Sequence, residues 1–327
     1  MTAPAILVTG GAGYIGAHTC KALARAGYRP VTYDDLSAGH REAVRWGPLE
    51  VGDIADRARL GAVLARWSPK AVLHLAAHAY VGESVEHPGK YYRNNVAGSL
   101  SLLEALRDHA MTRIVFSSSC ATYGMPDMLP ITEEMEQRPI SPYGASKLMT
   151  ERMLADFGAA HGLHAIALRY FNAAGADPDG EIGEDHTPET HLIPLVITAA
   201  AGRRPAVQVF GDDYPTPDGT CIRDYVHVSD LADAHVRALQ ALERGQGPVA
   251  CNLGTGRGWS VRDIIGAVER VSGRPVPVVM GARRPGDPAV LIASAARAAS
   301  VLGWKPRWPN LDDIVRTAWA WHTRHGK

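Results

Sequence analysis

The stretch AILVTGGAGYIGAHTCKALARAGY, residues 5–28, decides how this chain begins to fold. Ala5 to Val8 form an apolar run too short for anything but a buried strand. Gly10, Gly13 and Gly16 follow, and then an amphipathic helical pattern through Leu23. Glycines at this spacing let backbone N–H groups approach a pyrophosphate at a helix N-terminus. A glycine triplet alone is weak evidence. Here a strand precedes it, a helix follows, and an acidic residue, Asp34, lies near the end of the next strand, RPVTYDD. A carboxylate there accepts hydrogen bonds from an adenosine ribose and repels a ribose phosphate, so the expected cofactor is NAD rather than NADP.

Working outward, strand–helix alternation continues through KAVLHLAAH, NNVAGSLSLLEALRDH, RIVFSSS, a helix containing Tyr143, and HAIALRYFN. Apolar runs of this length between helical patterns predict an α/β protein with a doubly wound parallel sheet. The segments after its strands, GDIAD (with Asp53 and Ile54), LAAHAYVGES and SSSCATYG, then line the crevice at the sheet's carboxyl edge. From about Asn172 glycine and proline become frequent, as in GADPDGEIGEDHTPET and FGDDYPTPDGTCIRDY, which predicts a substrate-binding portion assembled from loops. The expected division is therefore a nucleotide-binding domain at 1–171 and a smaller α/β domain at 172–327. The segment DYVHVSDLADAHVRALQAL returns the chain to the first domain at about 225–243.

Tyr143 and Lys147, in SPYGASK, are the candidate chemistry. Four residues is about one helical turn, so both side chains project from one face. Ser141 suits the helix cap and Pro142 its first turn. A free tyrosine has a pKa of about 10. The lysine cation, the positive helix end and an oxidised nicotinamide would each favour the phenolate. Alone, the pair reads more readily as an exposed helix start whose tyrosine packs on a neighbour; the upstream glycine loop changes that balance.

Composition removes several classes. Acidic and basic side chains balance at 34 each, so no bulk field attracts nucleic acid or an anionic membrane. No apolar stretch approaches the roughly 20 residues of a membrane span. The first strand leaves no room for a signal peptide, and Cys20, Cys120, Cys221 and Cys251 lie far apart, so reduced thiols and a cytoplasmic location are expected. No metal site is expected: among 14 histidines, His74 and His78 are four apart but straddle a strand end and a loop.

Taken in order, TGGAGYIGAHT, VGES, YYRNNVAG, FSSSCATYG, SPYGASKLMTE, RYFNAAGA, GEDH, GTCIRDYVHVSDLADAH and RRPGD resemble the extended short-chain dehydrogenase/reductase family over essentially the whole chain. Within it, the chain is similar to the UDP-galactose 4-epimerases, with a Rossmann-type sheet. The resemblance implies Ser119 as a hydroxyl working with Tyr143, and Lys147 as a binder of the nicotinamide ribose. It places Gly10, Gly13, Tyr14, Ile15 and Gly16 at the cofactor, with Asp34, Asp35, Asp53 and Ile54. Leu75, Ala76, Ala77, Asn94, Ser117 and Tyr170 join them there. Substrate contacts, besides Ser119 and Tyr143, fall on Asn172, His191, Leu192, Phe210, Arg223, Arg284 and Asp287. Arg223 and Arg284 would fork onto a diphosphate, and Phe210 would cover a uracil face.

Two positions depart from the family pattern. Ala79 stands where a lysine is frequent, and Leu291 replaces a tyrosine that closes the sugar pocket in some members, with Val290 or Ile292 as one-residue alternatives. The resemblance implies 4-epimerisation of UDP-glucose and UDP-galactose, extended to UDP-N-acetylglucosamine if Leu291 opens the pocket. It also implies a homodimer through the helices near 94–109 and 143–160. UDP-pentose and UDP-uronate epimerases are close chemical alternatives, and a non-catalytic NAD-sensing regulator is a more distant one. A 4,6-dehydratase is disfavoured, because Cys120, Ala121 and Thr122 after Ser119 supply no carboxylate for elimination.

Overall fold

The computed structural model describes residues 3–284 and 286–326. Met1, Thr2 and Lys327, at the outer ends of the two expected domains, lie outside the described residues. The strands are β1 (Ala5–Thr9), β2 (Arg29–Asp34), β3 (Leu49–Val51), β4 (Ala71–His74), β5 (Arg113–Ser119), β6 (His164–Tyr170) and β7 (Asn172–Ala174). Then come β8 (Val207–Phe210), β9 (Ile222–Arg223), β10 (Tyr225–His227), β11 (Val249–Leu253), β12 (Trp259–Ser260), β13 (Val278–Gly281) and β14 (Val290–Leu291). The helices are α1 (Tyr14–Arg25), α2 (Arg57–Trp67), α3 (Val81–Glu86), α4 (Pro88–Tyr91), α5 (Ser99–Asp108) and α6 (Pro142–His161). They continue with α7 (Leu192–Ala200), α8 (Val228–Glu243), α9 (Val261–Ser272), α10 (Ala296–Leu302) and α11 (Leu311–Arg324).

Seven strands form one parallel sheet in the order β3-β2-β1-β4-β5-β6-β11. Successive side chains of a strand point to opposite faces. Accordingly Ile6 and Val8 pack with Leu23, Leu231 and Leu239 on the α1–α8 side. Leu7 and Val31 pack with Leu60, Leu102 and Leu106 on the α2–α5 side. Both faces are covered, which is why the strands read as apolar runs rather than alternating ones. The strand order reverses between β1 and β4, and ligands of such sheets bind outside the carboxyl ends at that point.

After β6 the chain makes small sheets. β7 pairs with β10, β8 with β13, and β9 lies between β12 and β14. Ile193, Val196, Ile264, Val268 and Ile314 from α7, α9 and α11 form a separate core beside them. The helix α8 lies against α1, and β11, which the sequence patterns do not assign to the sheet, adds beside β6.

Candidate active site

The glycine loop is shaped by what cannot fit there. Gly10 has φ +73°, and a Cβ on it would sit 2.6 Å from the Ala76 nitrogen. A Cβ on Gly16 would lie 2.0 Å from the Gly10 carbonyl oxygen. The first turn of α1 therefore presses onto the ends of β1 and β4 with backbone alone, and Gly13 N–H donates to Gly10 at 3.2 Å. Asp34 is 8% exposed and accepts from Ala12 N–H and Leu36 N–H, each at 2.9 Å. Burial raises its pKa, and the two N–H donors oppose that shift. Asp34 thus anchors the glycine loop as well as standing at the expected ribose position. This cradle and the buried carboxylate fit a dinucleotide.

The other expected cofactor positions surround it. Asp35 accepts from Ser37, and Asp53 accepts from Ala55 N–H at 2.8 Å while its carbonyl takes the Tyr33 hydroxyl at 2.8 Å. Ile54 is buried against Gly98. Ile15 and Leu75 pack on one face of the sheet and Ala76 on the other, while Ala77 is partly buried in the following loop. Tyr14 donates to the Gly175 carbonyl at 2.6 Å, tying the loop to the segment after β7.

Ser141 caps α6 by accepting from Gly144 N–H at 3.2 Å, and Pro142 opens its first turn. Tyr143 lies beside Ser119 at the end of β5, close enough for the serine hydroxyl to act on the phenol. One turn on, Lys147 is 3% exposed, and its Nζ donates to the Ser117 carbonyl at 2.7 Å, 5.8 Å from the Tyr143 ring centroid. Burial raises the Tyr143 pKa, and the Ser119 hydroxyl opposes it. Burial also lowers Lys147 to about 7, against the pull of Glu151. In the chain without cofactor, burial thus works against the charged form of both groups, which leaves the positive charge of a bound nicotinamide to favour the phenolate.

Several positioning residues carry no obvious sequence signal. A Cβ on Gly144 would lie 2.5 Å from the Ala121 carbonyl oxygen, so glycine is what lets α6 meet the turn Cys120–Tyr123 beside Ser119. Asn94 donates to Asn95 Oδ1 at 2.9 Å. Asn95, in a π-helical turn at Tyr92–Gly98, also accepts from His78 N–H at 2.9 Å and donates to Ser146 at 3.1 Å. It ties the loop after β4 to α6. Ser117 bonds Tyr170, and Ser118 bonds Glu151, whose partly buried carboxylate holds Arg169. Arg169 in turn donates to Tyr123 at 2.6 Å. His74 is a core residue between Thr9 (2.7 Å) and Ser99 (2.8 Å).

On the expected substrate side, Leu291 pairs in register with Arg223 and packs against the cluster that contains Cys120, Tyr123 and Ile131. Asn172 pairs in register with Tyr225. Arg223 is engaged by Asp287, and the Arg284 guanidinium stacks 4.1 Å from the Phe210 centroid. Both arginines thus have partners within the chain, and one face of Phe210 is covered. His191 precedes α7 with Nδ1 2.8 Å from Glu184, and Leu192 begins that helix, packed against its core.

A tyrosine–serine–lysine arrangement beside a dinucleotide cradle, at the carboxyl edge of a doubly wound parallel sheet, defines a nucleotide-cofactor enzyme of the dehydrogenase type. The model of the NAD dependent epimerase/dehydratase family matches residues 6–254, and the chain belongs to that family. It is 55% identical over 324 residues to a UDP-glucose 4-epimerase of Rhizobium leguminosarum bv. trifolii, covering 99% of each chain. A UDP-glucose 4-epimerase from Brucella ovis, solved in complex with NAD, is 58% identical with a TM-score of 0.96, over 97% of this chain and 98% of that one. A UDP-glucose 4-epimerase from Stenotrophomonas maltophila, solved with bound NAD and formylated UDP-arabinopyranose, is 43% identical with a TM-score of 0.95, over 99% of both.

Proposed function

We propose that this chain catalyses the NAD-dependent 4-epimerisation of UDP-sugars, interconverting UDP-glucose and UDP-galactose through a 4-keto intermediate. The observation that carries this reading is Tyr143, beside Ser119 and with the buried Lys147 one turn on, next to a turn after Ser119 that contains no acid. NAD, when bound, accepts and returns the hydride at sugar carbon 4 and brings a positive charge beside Tyr143. Tyr143 takes the proton from the sugar 4-hydroxyl and gives it back after the hexose has turned over, with Ser119 orienting its oxygen. Lys147, held by Ser117, fixes the cofactor ribose and keeps a donor beneath the tyrosine. Arg223 and Arg284 grip the diphosphate by exchanging their present partners for phosphate oxygens, and Asn172 and Leu291 line the sugar.

Residues 1–171 with the return at about 225–243 serve the cofactor, and 172–327 serve mainly the UDP-sugar. Exposed Tyr92, Leu100 and Met149, on the π-helical turn, α5 and α6, support a homodimer through those elements. Four unpaired cysteines suit a reducing, cytoplasmic setting. Incubating the protein with UDP-glucose, UDP-N-acetylglucosamine and UDP-xylose and identifying the products tests the reading. UDP-galactose from UDP-glucose supports it. Turnover of UDP-xylose alone would make the chain a pentose epimerase, and turnover of none would overturn the assignment.

A further inference from the structure

The loop between β7 and α7 carries the pattern Glu184-x-His186-x-x-Glu189-x-His191. The local fold closes it on itself, so that one ligand atom from each of the four side chains lies within 4.8 Å of the others. His191 Nδ1 is 2.8 Å from Glu184 Oε1 and 2.9 Å from Glu189 Oε1. His186 Nδ1 is buried, makes no hydrogen bond, and faces Glu184 Oε1 at 3.3 Å and Glu189 Oε2 at 3.7 Å.

These spacings bring four ligand atoms close enough to surround one ion. With metal–ligand bonds of about 2.0–2.1 Å, the ligand atoms of a tetrahedral zinc site lie about 3.3 Å apart. The four nitrogen–oxygen separations, 2.8, 2.9, 3.3 and 3.7 Å over both oxygens of Glu189, are those of imidazole–carboxylate pairs and lie near that edge, so side-chain adjustment about an ion can convert the pairs into a shell. Glu184 is 4% exposed and shares its site with the partly buried Glu189. Carboxylates so placed require compensating positive charge. Without an ion, His186 and His191 supply it as imidazolium partners of the two carboxylates; a divalent cation would displace their protons and take over that role within one polyhedron. A nitrogen–oxygen donor set suits zinc, whereas magnesium and calcium prefer oxygen alone.

The loop is also pre-shaped from outside. Trp321 donates to the Glu184 carbonyl at 3.0 Å, and the Tyr80 hydroxyl to the Pro188 carbonyl at 3.2 Å. The His40 ring nitrogen lies 3.0 Å from the Asp185 carbonyl. The His191 side chain is 43% exposed, which leaves a path for an ion to enter. A second acidic group, Asp177, Asp179 and Glu181, differs: Lys21 Nζ already sits among its oxygens, 2.6 Å from Asp177 and 2.8 Å from Asp179.

We propose that Glu184, His186, Glu189 and His191 form a four-coordinate site for a divalent transition metal, filled by Zn²⁺. Four protein ligands leave no open position, so the ion is structural and fastens the segment that leads into α7. That segment presents His191 and Leu192 to the expected substrate side, so the metal sets the pocket wall without entering the chemistry. The site does not depend on the epimerase reading, because binding is measured without substrate.

The full chain, stripped with a chelator that is then removed, is titrated with Zn²⁺ by calorimetry and with Co²⁺ by visible absorption. One Zn²⁺ per chain and the strong visible bands of tetrahedral Co²⁺ are expected. His186→Gln and Glu189→Gln should each weaken Zn²⁺ binding at least about tenfold, with circular dichroism showing that the variants are folded. Absence of stoichiometric Zn²⁺ binding by the parent chain overturns the proposal, and so does unchanged affinity in both folded variants. If neither variant folds, the parent chain's stoichiometry and Co²⁺ spectrum decide: weak octahedral bands reject the site.

Discussion

Lys147 Nζ donates to the Ser117 carbonyl at 2.7 Å, so the ammonium of α6 is bound to the backbone of β5. Two elements distant in sequence are fixed relative to each other at the point where the chemistry is proposed. The same bond holds Tyr143, one turn earlier, over Ser119 at the end of that strand.

Removing the Tyr143 oxygen should therefore cost turnover and little else. Tyr143→Phe is expected to fold, retain NAD and lose at least about 100-fold in kcat, the usual scale of a positioned acid–base group. Near-native turnover would assign the base elsewhere. Lys147→Met should weaken NAD retention and move the pH–rate profile to higher pH, because a cation that favours the phenolate is gone. An unmoved profile would remove that second role.

Gly144→Ala places a methyl group 2.5 Å from the Ala121 carbonyl oxygen. Overpacking of this kind costs about 1–3 kcal/mol. Because the strain falls between α6 and the turn after Ser119, kcat should drop along with stability. Denaturant unfolding and kinetics on the same preparation check both, and a variant that is destabilised but fully active would show that this contact does not position Tyr143.

Burial, with a smaller contribution from Lys147, pulls His74 down to about 3. Its folded pKa lies below its ordinary value of about 6.5, so the unfolded chain binds more protons as pH falls below that value. The stability held above pH about 6.5 is lost progressively toward pH about 3. His74→Gln should flatten the slope of unfolding free energy between pH 6 and 4 by up to about 1.4 kcal/mol per pH unit, the value of one proton. Equal slopes in denaturant titrations of both proteins would show that His74 is not the group responsible.

Leu291 packs against the cluster that contains Cys120 and Tyr123, from the turn after Ser119, and pairs with Arg223, the arginine assigned to the diphosphate. A tyrosine there would crowd the substituent on sugar carbon 2. Leu291→Tyr is expected to lower kcat/KM for UDP-N-acetylglucosamine by roughly five- to 150-fold, the equivalent of about 1–3 kcal/mol, while sparing UDP-glucose. Comparing both substrates in both proteins decides it, and equal losses would place the pocket wall at Val290 or Ile292.

The central sheet was legible because its strands are buried on both faces and alternate with helices at short range. Gly10, Gly16 and Asp34 were legible because a dinucleotide loop constrains backbone and charge within about twenty residues. The strand β11 was not: VACNL sits among loops, and only its pairing with β6 reveals it. Asn95 and Gly144 read as an ordinary polar residue and an unremarkable glycine in the first turn of a helix, since their importance lies in contacts to residues far away in sequence. The Glu151–Arg169 pair was hidden for the same reason. The Glu184–His191 cluster had a readable spacing, Glu-x-His-x-x-Glu-x-His, but it lay in a segment dominated by glycine and proline signals.

The central claim is that hydride leaves sugar carbon 4 and returns to the same carbon within one protein-bound cycle. Reaction with UDP-glucose deuterated at carbon 4, followed by mass and magnetic-resonance analysis of the product, tests it most directly. The account predicts UDP-galactose that keeps its deuterium at carbon 4, with no net accumulation of reduced cofactor. Loss of the deuterium to solvent, or steady build-up of NADH with a released keto sugar, would contradict it.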